Sequence, residues 1–239
     1  MGKGNFASGQ LHSGFLKGLP VMMGYFPIGF AFGILAANAG LTLLDTVLMS
    51  VFVYAGSAQL ISLGLLEGGA GIMAIASTTF LVNLRHLLMS AALAPYLGHL
   101  SRLQQALFSY EITDEAFAVH STTFNKEKRP PIGRIFTTNI LAHLSWVVSS
   151  FLGAWTGTLL TDLEAWGLDY ALPAMFISLL VLQIGSNKHL FIAVFSLVFS
   201  TFLYYYMGGH WYIILATVTG ASIGAAMEGQ GLPAKANDS

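Results

Sequence analysis

Arg85, Glu111, Asp114, Glu115 and His143 are titratable side chains inside long apolar runs of this sequence. Arg85, in Asn83-Leu84-Arg85-His86, is deep in the run from Gly71 to Leu93. A charge at the centre of a spanning helix costs about 2.5–3.5 kcal/mol, so an arginine there is read first as functional. Its planar fork suits a carboxylate held through two bonds. The other uses are pairing with a nearby acid or snorkelling to the interface. Glu111, Asp114 and Glu115 are spaced i, i+3 and i+4, which puts them on one face of a continuous helix. Such a face needs Arg85, water or protons against it. Desolvated and mutually repelling, one of the three is expected to exchange a proton, Asp114 first. Asn139 and His143 share a face of a later run. Because a free imidazole titrates near neutrality, His143 is read as a second proton carrier, or else as a hydrogen-bonded packing residue.

Uncharged groups add to this set. Tyr54-Ala55-Gly56-Ser57-Ala58-Gln59 gathers a hydroxyl, an amide and small residues within an apolar run. Gly56, Ser57 and Gln59 there suit either a polar lining for a small ligand or helix–helix hydrogen bonding, and Gly56 admits close backbone approach. Pro27 removes a backbone N–H near Gly29 and Gly33. Two readings stay open: a broken helix offering free backbone groups to a ligand, or a kinked helix packed through Gly29-x-x-x-Gly33. Pro27, Gly29, Gly56, Ser57, Gln59, Asn83 and Arg85 are therefore the candidate binding residues. An intramembrane metal site built from His86, Glu111 and His143 is the competing enzymatic reading, but these residues sit on three segments without a local ligand motif.

The segments that must carry these residues are helices in a bilayer. The chain has 239 residues, 55% hydrophobic and 9% charged, with mean hydropathy +0.68. So few charges cannot cover a water-facing surface. Continuous apolar runs point to an all-α polytopic membrane protein rather than a β-barrel. The expected spans are 15–37, 46–66, 71–93, 104–123, 134–160, 166–185, 190–206 and 211–227. That makes about eight transmembrane helices, or seven if the acidic fourth segment fails to cross. Together they form one transmembrane domain over 1–239. Cysteine is absent and net charge is −1, so no thiolate metal site and no nucleic acid partner are expected.

If all eight segments cross, Lys3, Lys17, Lys126, Lys128, Arg129, Arg134, Lys188 and Lys235 share one side and Arg102 is opposite. The positive-inside rule then places both termini in the cytoplasm. The halves also resemble each other. Gly29, Gly33, Leu35, Leu44, Asp45, Leu48, Phe52 and Gln59 recur 124 residues later as Gly153, Gly157, Leu159, Leu168, Asp169, Leu172, Phe176 and Gln183. Two internal repeats follow, about 15–123 and 134–228. Such duplication is frequent in secondary transporters, whose substrates bind at the repeat interface near the midplane.

No Walker A, H-E-x-x-H, G-x-S-x-G or dinucleotide motif occurs. No enzyme activity and no cofactor are expected, and active transport would draw on an ion gradient or a partner's energy source. The ordered set Gly18-Leu19-Pro20, Pro27-x-Gly29-x-x-Phe32-Gly33, Ala55-Gly56-Ser57-Ala58-Gln59, Asn83-Leu84-Arg85-His86, Thr113-Asp114-Glu115-x-Phe117 and Asp169-x-x-x-Pro173-Ala174 resembles the AzlC family of branched-chain amino acid exporters. The resemblance implies a bacterial inner-membrane protein that moves valine, leucine or isoleucine outward. It also implies a small membrane subunit of the AzlD type as partner. A transporter of another small solute, and a passive channel, are the remaining alternatives.

Overall fold

The computed structural model describes residues 2–127, 129–159, 170, 174, 177, 180–181, 184–207 and 211–229. Most of the expected span 166–185, with Asp169, Pro173, Phe176 and Gln183, lies outside them. Among the described residues the chain is helical: α1 Gly2–Asn38, α2 Leu43–Phe52, α3 Gly56–Glu67, α4 Ile72–Leu93, a 3-10 turn Ala94–Tyr96, α5 Arg102–Tyr110, α6 Asp114–Lys126, α7 Ile132–Gly157, α8 Asn187–Tyr206 and α9 Trp211–Gly229. Among the described residues, four helical stretches are long and apolar enough to cross a bilayer: Gly9–Asn38, Ile72–Tyr96, Ile132–Gly157 and Asn187–Tyr206. The all-α polytopic membrane architecture expected from sequence is the one observed.

The chain forms two compact units, residues 1–69 with 82–171, and residues 70–81 with 172–239. In the first, α1 and α7 are a parallel pair in close backbone contact. A Cβ on Gly14 would come within 2.7 Å of Thr137 Cβ, one on Gly18 within 3.3 Å of the Thr138 carbonyl oxygen, and one on Gly157 within 3.0 Å of Ile34 Cα. A Cβ on Gly33 would overlap the Ser150 carbonyl and lie 2.5 Å from Ala154 N. Small residues at this seam let the backbones approach, as membrane helices require. Side chains then tie them: Thr138 Oγ1 donates to Gly14 O and Ser145 Oγ to Met22 O. The second bond reaches the carbonyl of Met22, the residue before Met23, whose carbonyl Pro27 leaves without its helical N–H donor. α1 runs unbroken through Pro20 and Pro27. Of the two readings open at Pro27, the broken helix is not there, and Gly29 and Gly33 pack closely against α7.

The breaks lie elsewhere. The expected span 46–66 is two half-length helices, α2 and α3, joined at Val53–Ala55, where Tyr54 takes the left-handed φ of +38°. Ser50 and Gln59 are hydrogen-bonded across the joint, so the chain folds back on itself. The expected span 104–123 is likewise α5 and α6, joined at Glu111–Thr113. Phe108 meets His120 and Phe124, which makes α5 and α6 antiparallel limbs.

The direction of each limb follows from its partners. Lys17 Nζ donates to Thr123 Oγ1 near the start of α1, and Tyr25 reaches Glu115 farther along it. Hence α6 descends toward the side on which α1 begins. The end of α4 is on that side too, since Leu93, Leu97 and Leu100 pack with Phe108, Phe124 and Ile135, and His99 Nε2 meets Pro130 O at 3.2 Å. So α5–α6 enters and leaves by the side of the α1 start. α2 begins five residues after α1 ends at Asn38, and α3 folds back along it, so α2–α3 enters and leaves by the other side. Each hairpin reaches half depth, and the tips meet between α1, α4 and α7.

This corrects the charge map. Arg102, expected opposite the other loop cations, stands with Lys17, Lys126, Arg129 and Arg134 on the side of the α1 start. Asp45 and Glu67 mark the other side. There Thr42 caps α2 and, through its hydroxyl and amide bonds, holds the Asp45 carboxyl below its usual range. On the basic side Arg134, hydrogen-bonded to Glu127, lowers that carboxyl. In the second unit α8 and α9 are antiparallel, with Tyr204 against Tyr212 at one end and Lys188 Nζ donating to Met227 O at the other.

Candidate functional site

The two hairpin tips carry Gly56, Ser57, Gln59, Glu111, Asp114 and Glu115 toward Arg85 of α4 and His143 of α7. Two helices start there. α3 starts at Gly56 with no side-chain cap, and α6 starts at Asp114, capped by Thr113, which accepts from Ala116 N. Between them stands Arg85 of α4. Its guanidinium pairs with Asp114 at 2.8 Å and donates to Ser57 Oγ, joining the first turns of both half-helices. Arg85 Nε is buried without a hydrogen-bond partner, and so is Oδ1 of Asn83, two residues earlier and on another face of α4.

The three acids do not share a face. Glu111 caps the end of α5, while Asp114 and Glu115 open α6 after the break. The break sends each to a different partner. Asp114 takes Arg85. Glu115 accepts from Tyr25 Oη at 2.7 Å. Tyr25 has one hydroxyl proton and an ionised carboxylate only accepts, so Thr113, within reach of Tyr25 Oη, donates to it. Glu111 meets His143 Nδ1, with both carboxylate oxygens at 3.1 Å. His143 Nε2 reaches Ser50 O at 3.1 Å, and Tyr54 stacks on the imidazole with centroids 3.9 Å apart.

Gln59 is fully buried. It accepts from Trp146 Nε1 at 3.0 Å and donates to Ser50 Oγ at 3.3 Å. Gly56 is the contact surface of the Trp146 ring, 2.8 Å from where a Cβ would stand. Gly29 faces α7, 3.3 Å from the Trp146 carbonyl oxygen on the same measure, and Pro27 is inside the continuous α1. Asn139 pairs with His120 at 2.6 Å, on the basic side of His143. His86 does not join Glu111 and His143; among the described residues no three His, Asp or Glu side chains are grouped to hold a metal ion. Phe26 and Phe52, which flank the candidate binding residues Pro27 and Gly56 in sequence, are exposed.

Tyr25, Ser50, Tyr54, Thr113, His120 and Trp146 belong to this constellation and were not singled out as site residues from sequence. Trp146 follows His143 at i+3, and Tyr25 precedes Pro27 by two. Each is a large aromatic in an apolar run, a pattern shared with lipid-facing positions. Only Thr113 carried a local sign, a hydroxyl just ahead of two acids.

Apolar crossing helices, with two opposed half-depth hairpins that converge on an intramembrane ion pair, define a multi-pass membrane protein with a polar centre. The chain belongs to the AzlC family: the family model described as AzlC protein matches residues 20–160. It is similar to the inner membrane protein YgaZ of Escherichia coli (strain K12), 30% identical over 182 residues, 72% of each chain. It is also similar to the branched-chain amino acid transport protein AzlC of Bacillus subtilis (strain 168), 27% identical over 205 residues, 85% of this chain and 80% of that one. An uncharacterized membrane protein of Helicobacter pylori (strain ATCC 700392 / 26695) is 24% identical over 84% of this chain and 87% of its own. No solved structure matches the chain.

Proposed function

We propose that this membrane transport protein exports branched-chain amino acids from the cell, driven by a proton gradient, together with a small membrane subunit of the AzlD type. The observation that carries the reading is the Arg85–Asp114 pair between two half-helix starts. A zwitterion offers one carboxylate and one ammonium, the complements of guanidinium and carboxylate. Inserted into the pair, it exchanges one ion pair for two with no change in net charge. Its carboxylate takes Arg85, Ser57 and the uncapped first-turn N–H groups of α3, where the helix dipole favours an anion. Its ammonium takes Asp114. Glu111, Glu115 and His143 handle the coupling proton around this centre. Pro27 and Gly29 act by setting the α1–α7 seam. The name of the Bacillus subtilis relative supports the choice of substrate.

Purified protein, with and without the partner subunit, is reconstituted in proteoliposomes with labelled amino acids and an imposed pH gradient. Leucine, isoleucine and valine are expected to move faster with the gradient. Against labelled leucine, 3-methylbutylamine and 4-methylpentanoate, each half of the zwitterion, should compete far less than unlabelled leucine. Equal competition by either half defeats the zwitterion reading, and no leucine movement with the partner present defeats the function.

The side of the α1 start is proposed to be cytoplasmic, because Lys17, Arg102, Lys126, Arg129 and Arg134 gather there. The C-terminus is proposed to share that compartment, in the inner membrane of a bacterium. With Arg102→Cys, Glu67→Cys and Ser239→Cys placed singly in this cysteine-free chain, an impermeant thiol reagent should label only the second in intact cells. Labelling of Arg102→Cys with protection of Glu67→Cys reverses the orientation.

A further inference from the structure

We infer that the coupling proton is held between His143 and Glu111, and that this proton fastens both hairpin tips to α7. The inference rests on the transporter reading and narrows its set of proton carriers to one pair. His143 Nε2 faces the Ser50 carbonyl, which only accepts, so Nε2 carries a hydrogen. His143 Nδ1 faces a carboxylate at hydrogen-bond distance. That contact also needs a hydrogen, on Nδ1 beside an ionised Glu111 or on Glu111 beside a neutral imidazole. In either form one proton lies between them and the pair is neutral. Removing it leaves a nitrogen lone pair against a carboxylate and one net negative charge at half depth. That charge has no compensating partner in the pair, and the contact opens.

Asp114, the first choice from sequence, is differently placed. It faces the permanent cation of Arg85, and substrate insertion offers it a second cation. Its ionised form is the one the site uses. The other groups around His143 leave it as the exchangeable partner of Glu111. Tyr54 stacks on the ring from the α2–α3 tip, and Tyr110 approaches it at 6.2 Å from α5. Next beyond are Tyr25 with Glu115, and the Arg85–Asp114 pair.

The pair touches both moving parts. Ser50 belongs to α2, Glu111 ends α5, and His143 is on α7. Tyr110 adds a bond from its hydroxyl to the Val51 carbonyl, tip to tip. Proton loss therefore frees two hairpins that enter from opposite sides, and proton uptake fastens them again. One proton per cycle is thereby tied to opening at the level where substrate binds.

The test uses the full chain in proteoliposomes with its partner, and three variants: Glu111→Gln, His143→Gln and Glu111→Asp. Both Gln variants should lose acceleration by the pH gradient and keep gradient-independent exchange of labelled for unlabelled leucine. Glu111→Asp should restore part of the gradient response with a displaced pH profile. Gradient acceleration intact in both Gln variants overturns the inference. A second measurement needs no substitution to fold. Infrared pH-difference spectra of the wild-type chain with isotope-labelled histidine should show an imidazole signal and a carboxyl signal changing in one step. If leucine exchanges but the wild type ignores the gradient, the proton-driven reading of function fails. The spectra then decide the pair by themselves: a joint step upholds it as a proton site, and its absence overturns it.

Discussion

Arg85→Ala abolishes leucine transport, whereas Arg102→Ala leaves it near the wild-type rate at equal protein level. Arg85 holds Asp114 and Ser57 at the meeting of α3 and α6, while Arg102 is exposed at the first turn of α5. A hydrogen bond to a charged group contributes about 1.5–3 kcal/mol, roughly 10- to 150-fold in affinity, and the substrate carboxylate would lose more than one. Arg85→Lys keeps the charge and loses the fork that reaches two partners in one plane, so it should recover only a minor part of the activity. Uptake of labelled leucine into proteoliposomes with purified variants decides this. Comparable rates for Arg85→Ala and Arg102→Ala would mean that Arg85 is an ion-pairing residue of the fold and no part of the substrate site.

The charged residues that the fold brings together stood out in the sequence, whereas their aromatic and hydroxyl neighbours and the geometry did not. Charge inside an apolar run is a strong sign because lipid gives it no other explanation, and that sign alone picked out Arg85, the three acids and His143. The half-helices were hidden by the same apolarity. A run such as 46–66 has the length of a span, and nothing in hydropathy separates one crossing from two half-crossings. The joint at Tyr54 uses a left-handed backbone without glycine or asparagine, so the usual mark of a turn is missing. At the second joint the mark was present. Thr113-Asp114-Glu115 is a helix start, with a hydroxyl cap and acids in the first turn, as is Ser101-x-x-Gln104 at α5. Read as caps, these segments end at Glu111 and begin again at Asp114. The acids then leave the single face that i, i+3 and i+4 spacing assigned them. At Pro27 a break and a Gly-packed helix were both open readings. The helix runs through, and the residues of α7 against which Gly29 and Gly33 pack are far away in sequence, so sequence alone does not choose between the two.

Removing both charges of the central pair restores stability without restoring transport. Arg85→Gln leaves Asp114 as an uncompensated anion at the α6 start, and Asp114→Asn leaves Arg85 with Ser57 alone. Breaking a fully buried pair from one side costs about 3–5 kcal/mol. These side chains are 30% and 25% exposed, so solvent screening reduces the expected loss for each single variant to about 1–3 kcal/mol. The double variant Arg85→Gln/Asp114→Asn has no orphaned charge, and its amides can still bond across the gap. Thermal unfolding in nanodiscs should place it closer to the wild type than either single variant. Leucine transport should be absent in all three, because a zwitterion entering a neutral pair gains no ion pair to offset the loss of its hydration. A double variant that is stable and still transports leucine would reduce the Arg85–Asp114 pair to a structural clasp between α4 and α6. The ammonium and carboxylate of the substrate would then have to bind elsewhere on the two tips.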